Sequence, residues 1–223
     1  MQNDETPGSG PPDAPDDGTP LARKRPKPGE RRVQILQALA AMLEQPGAER
    51  VTTAALAARL DVSEAALYRH FASKAQMFEG LIDFIEQSVF SLVNQILEQT
   101  PLDPGTNERE QGSSQAARIV TMLVQFAEKN PGMTRVMVGD ALVFENERLQ
   151  QRMNQFFDKI EATLRQALRG VATADGSATP TVDAQVRAGA LTAFVVGRLQ
   201  RFVRSGFRRL PSEHLDAAVQ LML

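Results

Sequence analysis

Between Val51 and Lys74 the chain reads VTTAALAARLDVSEAALYRHFASK, a spacing that admits two short helices and a sharp turn and little else. Leu56 and Leu60 recur at helical spacing, with Ala54, Ala55, Ala57 and Ala58 as strong helix formers around them. A hydroxyl at Thr52 or Thr53 can cap this helix by accepting from an orphan N–H of its first turn. Asp61-Val62-Ser63 breaks the pattern. Ser63 is a good N-cap for a second helix from Glu64 to about His70, and Glu64 suits the positive end of the helix dipole. Leu67 and Phe71, four apart, face inward and leave Tyr68, Arg69 and His70 near the surface. Ser73 reads as the cap of a further helix, just ahead of Lys74. Small residues at Ala54, Ala57, Ala58, Ala65 and Ala66 let the two helices cross closely, and Asp61 tolerates the left-handed backbone that such a turn uses. Two readings fit: an ordinary helical hairpin, or a helix-turn-helix whose second helix enters a DNA major groove.

Charge favours DNA. The net charge is −2, but it is unevenly spread. Residues 1–22 carry five acids and no basic side chain, residues 23–74 carry ten bases against five acids, and residues 75–223 carry fifteen bases against seventeen. The positive excess thus coincides with the two-helix stretch and the segment leading into it, as a phosphate-binding unit requires.

Residues 1–29 hold seven of the thirteen prolines and few apolar side chains, so the sequence predicts a disordered tail. Its end, Leu21-Ala-Arg-Lys-Arg-Pro-Lys-Pro, is a basic arm that either follows a DNA backbone or minor groove or simply stays solvated. A supporting helix is predicted from Glu30 to Gln45, with Val33, Leu36, Leu39, Ala40 and Leu43 as its apolar stripe and Pro46-Gly47 as its stop. This gives a three-helix unit over 30–74.

The remainder, 75–223, reads as an all-helical body. A long helix runs from about Ser73 to Gln99, with a polar loop from Pro101 to Ser114 and then a helix over Gln115–Lys129 that Asn130-Pro131-Gly132 ends. A short helix over Met133–Val138, a long one over Asp140–Arg169, a small-residue loop over Gly170–Pro180, a helix over Val182–Ser205 and a last one over Ser212–Leu221 follow. The two C-terminal apolar helices are suitable material for a homodimer interface, or else they close the core within one chain. Phe126, Phe144, Phe156, Phe157 and Phe194 read as bulky fillers of the body.

With no cysteine, disulfides and cysteine-based metal sites or nucleophiles are excluded. No apolar run reaches the ~18 residues of a membrane span, and the N-terminus lacks the apolar core of a secretory signal, so a cytoplasmic protein is expected. His70 is a lone histidine with no cysteine or paired carboxylates near it in the sequence, and His214 reads as a surface residue. No nucleophile-elbow, phosphate-loop or zinc-protease motif is present. An enzyme, a metal centre and a cofactor are therefore not expected.

The order of these elements, and L-Y-R-H-F followed by S-K at the end of the stretch, resemble the TetR-type regulators, which pair a basic three-helix head with a helical, dimerising body. Within that family, several segments resemble the nucleoid-occlusion factors of Gram-negative bacteria: Met77-Phe-Glu-Gly-Leu-Ile-Asp-Phe-Ile-Glu, Glu128-Lys-Asn-Pro-Gly-Met-Thr-Arg, Ala141-Leu-Val-Phe-Glu-Asn-Glu-Arg-Leu-Gln and Arg201-Phe-Val-Arg-Ser. The resemblance spans about residues 30–221. It implies a homodimer that binds palindromic sites on double-stranded DNA and, when DNA-bound, disrupts polymers of the tubulin-like cell-division protein, so that septa do not form over the nucleoid.

By family position, Thr52, Thr53, Tyr68, His70 and Lys74 are implied to touch phosphates, which fixes register. Ser63, Glu64, Ala65, Ala66 and Arg69 are implied to face the groove. Arg69 is suited either to a guanine edge or to a further phosphate, and Glu64 to a cytosine or to its own helix dipole. The subgroup resemblance also implies a docking place for the C-terminal tail of the division protein near Phe84, Ser88, Met122, Gln125, Phe126, Lys129 and Asn130; either Phe84 is exposed there beside cationic Lys129, which would suit an acidic-hydrophobic peptide, or Phe84, Met122 and Phe126 are buried core. Leu92 departs from the basic residue implied at its position. The same fold also serves ligand-responsive repressors, in which a small molecule in the body moves the long helix after the head.

Overall fold

The computed structural model describes residues 29–45, 51–99 and 107–223; the basic arm and the Pro46-Gly47 stop lie outside them. Every regular element among the described residues is helical, as expected of an all-α chain. The order is α1 (Glu30–Leu43), α2 (Thr53–Arg59), α3 (Glu64–Tyr68), α4 (Lys74–Glu98), α5 (Glu108–Lys129) and α6 (Pro131–Met137), then a 3-10 turn (Asp140–Leu142), α7 (Glu147–Ala174), α8 (Pro180–Arg204) and α9 (Leu215–Met222).

In the head, α1 to α3, the side chains set the helix starts. Thr52 Oγ1 accepts from the Ala55 N–H (3.2 Å) and caps α2; Ser63 Oγ accepts from the Ala66 N–H (3.3 Å) and caps α3. Asp61 stands between them at φ 55°, the left-handed conformation that turns one helix into the next. Ile35, Leu39, Leu43, Leu56, Leu67 and Phe71 close beneath. Val33, expected in the stripe, is 42% exposed; Ile35 takes its place, because the buried face of α1 runs through 35, 36, 39, 40 and 43. Of the five alanines expected at the helix crossing, only Ala57 is buried.

The body is built on α5, α7 and α8, whose facing residues, among them Ile119, Leu123, Met153, Phe156, Leu164, Leu191 and Val195, are almost wholly withdrawn from water. Ion pairs tie α4 to α7 in parallel: Arg148 to Glu79 (3.8 Å), Arg152 to Asp83 and Glu86 (2.8 Å each), and Lys159 to Glu86 (3.1 Å). The N-terminal ends of α4 and α7 therefore lie together beside the head. A turn at 175–179 sends α8 back antiparallel to α7.

Besides α6 starting at Pro131 rather than Met133 and α9 at Leu215 rather than Ser212, three boundaries differ more widely from expectation. Residues 108–114 belong to α5 rather than to a loop, because Asn107 caps the helix by accepting from the Glu110 N–H (2.8 Å). Gly112 there is no breaker: a Cβ would come within 2.3 Å of the Ala167 carbonyl oxygen, so glycine lets α5 lie directly on α7. The helix expected over Asp140–Arg169 is divided. Gly139 at φ 79° leads into the 3-10 turn, and Asn146 restarts the chain as α7 by accepting from the Arg148 N–H (3.0 Å). Finally, α7 runs through Gly170 to Ala174 because Val171 and Ala172 are fully buried.

The expected aromatic filling is also corrected. Phe156 alone of the five is wholly buried; Phe126, Phe157 and Phe194 are half-buried, and Phe144 is 65% exposed on the loop before α7. Aliphatic side chains close the centre instead.

Candidate nucleic-acid interface

The residues singled out on the head share one side of it. Ser63, Glu64, Ala65, Tyr68 and Arg69 are exposed, Ala66 is half-buried as α3 turns inward, and Leu67 and Phe71 on the opposite face are buried. Tyr68 offers its hydroxyl at 45% exposure, and no described side chain pairs with Arg69. Thr52 is exposed, though its oxygen is engaged as a cap. Thr53 donates to Glu64 Oε2 (2.6 Å), so two of the residues expected to meet DNA are fastened to one another across the α2–α3 turn. This bond gives Glu64 a role within the head and fixes its carboxylate at the start of α3, where the helix dipole favours it.

His70 is half-buried. Its backbone carbonyl accepts from Arg32 (2.8 Å), whose guanidinium lies 4.2 Å from the Phe71 ring. Arg32 thus ties α1 to the end of α3 at the edge of the surface. Lys74, at the first turn of α4, bonds Glu145 (2.5 Å) in the loop before α7. Of the side chains expected on phosphate, it is the one held by a carboxylate among the described residues through an ion pair.

The head joins the body at two further points. Arg135 of α6 reaches the Leu43 carbonyl (3.2 Å) at the end of α1 and pairs with Asp140 (2.5 Å). Gly132 lies so close to α1 that a Cβ would stand 2.0 Å from the Ala40 carbonyl oxygen. The head is therefore packed against α4 and α6 through these contacts.

The second group of expected residues lies on α4 and α5. Between these helices runs an open groove of about 390 Å³, lined in part by Leu92, Ile96, Arg118, Met122 and Gln125. Phe84 and Ser88 are half-buried on α4, as are Met122 and Phe126 on α5 and Asn130 just past its end; Gln125 and Lys129 are exposed. Phe84 is thus neither the exposed side chain expected nor a core residue, but it packs against the core from its edge. Asn130 spends its amide on the Phe126 carbonyl (2.7 Å), ending α5, while Thr134 donates to the carbonyls of Ala127 (2.8 Å) and Asn130 (3.0 Å).

Among the described residues no three His, Asp or Glu side chains gather as a metal site, and no helix is long and apolar enough to cross a membrane.

Comparison with known proteins settles the lineage. Residues 35–81 match the family of bacterial regulatory proteins of the tetR type, and residues 111–223 match the SlmA-like form of the tetracyclin repressor-like C-terminal domain. The nucleoid occlusion factor SlmA of Vibrio cholerae is 50% identical over 187 residues, covering 83% of this chain and 90% of its own. That of Idiomarina loihiensis is 48% identical over 192 residues, covering 86% and 93%. The chain belongs to the SlmA family of nucleoid occlusion factors. Solved structures agree on the fold: a putative transcriptional regulator from Pseudomonas aeruginosa (TM-score 0.67, 18% identity, 89% of this chain and 90% of that one) and FadR from Bacillus subtilis, solved with stearoyl-CoA (TM-score 0.66, 12% identity, 85% and 96%).

In this SlmA-family, TetR-type chain two residues bonded to the candidate interface, Glu145 and Arg32, have no local signal in the sequence. Glu145 is 71 residues from Lys74, and Arg32 is 38 from His70, so neither pairing has a local signal. Glu145 does fall inside one of the body segments that carry the subgroup resemblance, the one available hint that its position matters.

Proposed function

We propose that this protein is a DNA-bound division inhibitor. Two copies bind a palindromic chromosomal site through their heads, and the DNA-bound dimer antagonises polymers of the tubulin-like cell-division protein, so that septa do not form over the nucleoid. The protein is then cytoplasmic and nucleoid-associated, and its work is binding rather than catalysis. In this reading 1–29 is a tail with a basic arm, 30–74 binds DNA, and 75–223 dimerises and holds the partner.

The observation that carries the reading is the exposed edge of α3, with Tyr68 and Arg69 presented on a head fastened to the body through Gly132, Arg135 and Lys74. Roughly half-identity to SlmA proteins over most of the chain supports the step from DNA binding to division control. A dimer through the C-terminal helices is supported by α8, where Val182, Val186, Ala190 and Ala193 are all exposed at spacings of four, four and three, and by Leu221 of α9, which is 90% exposed. Apolar side chains in that register belong against another helix. The groove beside Met122 and Gln125, with Phe84 and Lys129 on the same pair of helices, suits an apolar and acidic peptide tail.

Co-sedimentation of the division protein's polymers with this protein tests the proposal. With duplex DNA carrying the selected site, fewer polymers should pellet than with this protein alone. Equal pelleting with and without that DNA would refute it.

A further inference from the structure

Between Asp183 and Glu213 the chain has six arginines and no carboxylate. Five of them, Arg198, Arg201, Arg204, Arg208 and Arg209, fall at the end of α8 and in the turn after it. Elsewhere in the body the arginines are mostly paired: Arg109 and Arg187 with Asp175, Arg135 with Asp140, Arg148 with Glu79, Arg152 with Asp83 and Glu86. At the end of α8 the pattern reverses. Arg198 is spent on the backbone, donating to the Pro211 and Glu213 carbonyls (2.7 Å each) with its guanidinium 4.5 Å from the Phe194 ring. It folds the 205–213 segment into a bracket. Arg201, Arg204 and Arg209 are exposed and their guanidinium groups bond no other described side chain, and Arg201 and Arg209 line an open cleft of about 520 Å³ with His214.

This cluster lies on the head side of the body. The C-terminal end of α8 returns to the N-terminal end of α7, which the ion pairs hold beside the start of α4. The Ser212 N–H bonds Glu128 (2.8 Å) at the end of α5, just before α6 docks on α1 at Gly132. Arg201 and Arg204 also continue the register of Val182, Val186, Ala190, Ala193 and Gly197 along α8. Two copies paired on that stripe would bring their arginines together next to the two heads. Like charges so placed repel unless an anion lies between them. A duplex that spans both heads runs past this end and supplies one.

We infer that Arg201, Arg204 and Arg209 form a second DNA-binding patch, outside the helix-turn-helix, which grips the phosphate backbone between the two half-sites. This rests on the DNA-binding dimer proposed above. Because they meet phosphates, these arginines add affinity for any duplex without adding sequence preference.

The test is a salt titration of binding to random duplex DNA, comparing the unaltered protein with the triple variant Arg201→Gln, Arg204→Gln, Arg209→Gln, with the mass of each free protein measured by sedimentation. The slope of log affinity against log salt should become shallower by about 0.9 for each phosphate that the variant no longer neutralises, with the oligomeric state unchanged. An unchanged slope overturns the inference. So does a variant that falls apart into monomers, since the arginines would then serve carboxylates of the second copy. If the unaltered protein itself shows no salt-dependent binding, the DNA reading fails with it, and that control tells the two failures apart.

Discussion

Lys74 Nζ lies 2.5 Å from Glu145 Oε1, so the ammonium expected on a DNA phosphate is held in the free protein by a carboxylate of the body. Glu145 is the more enclosed partner, at 12% exposure against 30% for Lys74. A phosphate reaching Lys74 must displace or share with Glu145, and the loop that carries Glu145 also carries exposed Val143 and Phe144 and leads into α7. On the proposed phosphate role of Lys74, this one ion pair couples DNA binding to the set of the body, and by reciprocity whatever holds Glu145 away from Lys74 should strengthen DNA binding.

Glu145→Gln should remove the competitor. Affinity for duplex DNA rises several-fold, while the melting temperature of the free protein falls, because an ion pair with side chains only 30% and 12% exposed is broken. Fluorescence anisotropy with a labelled duplex reads the first and calorimetry the second. Unchanged or weaker DNA binding would show that Lys74 does not act on phosphate.

Lys74→Ala should weaken binding to specific and random duplexes alike and lower the salt slope by about 0.9 per copy. It also strands the Glu145 carboxylate in a largely enclosed place. The double variant with Glu145→Gln separates the two effects: it should recover thermal stability but not the salt slope.

Gly132→Ala is expected to loosen the head. No side-chain rearrangement can clear a Cβ 2.0 Å from the Ala40 carbonyl oxygen, because the obstacle is backbone. α6 must move away from α1, at a cost of about 1–3 kcal/mol. The Arg135 bond to the Leu43 carbonyl would be strained with it. A lower melting temperature together with weaker binding of DNA measures this; an unaltered melting curve would refute the close approach.

What the sequence made legible was whatever local chemistry encodes. A threonine cap at 52 or 53 (Thr52 in the event), Ser63 and Ser73 as caps, Asp61 as the left-handed turn and Leu67 with Phe71 as inward residues all follow from neighbours within four positions, and all are found. Boundaries failed where a residue's role is set from far away. Gly112 and Gly170 read as breakers but lie inside helices; at Gly112 another helix's backbone leaves no room for a side chain. At the candidate site, exposure of Tyr68 and Arg69 was legible from α3 alone. The bonds from Lys74 to Glu145 and from Arg32 to the His70 carbonyl join segments 71 and 38 residues apart, and no periodicity announces them.

Asp175 provides an acid-sensitive clasp at the far end of the body. Its carboxylate accepts from Arg109 (2.7 Å) and Arg187 (3.0 Å), and these hydrogen bonds hold its pKa below the ordinary carboxylate range. A depressed folded pKa contributes stability that is present above the unfolded value, near about 3.9, and is lost as pH falls through the folded one. Asp175→Asn should therefore lower the melting temperature by a constant amount above about pH 5, and the gap to the unaltered protein should close as pH drops below about 4. A gap that stays constant down to the acid limit would mean that the ion pairs do not titrate.

Phe84→Ala separates the partner surface from the DNA surface. Phe84 is half-buried on α4, away from the Lys74 end, and packs against the core from outside. Truncation should cost less than the roughly 3–5 kcal/mol typical of a fully buried phenylalanine, so the protein stays folded and binds its DNA site with unchanged affinity. Polymer antagonism in the DNA-dependent sedimentation assay should fall markedly, because the apolar flank of the α4–α5 surface is gone. Antagonism at the unaltered level, with folding intact, would remove Phe84 from the partner site. A collapse of the melting transition would instead make it a core residue whose removal reaches the head through α4, and DNA affinity would then fall as well.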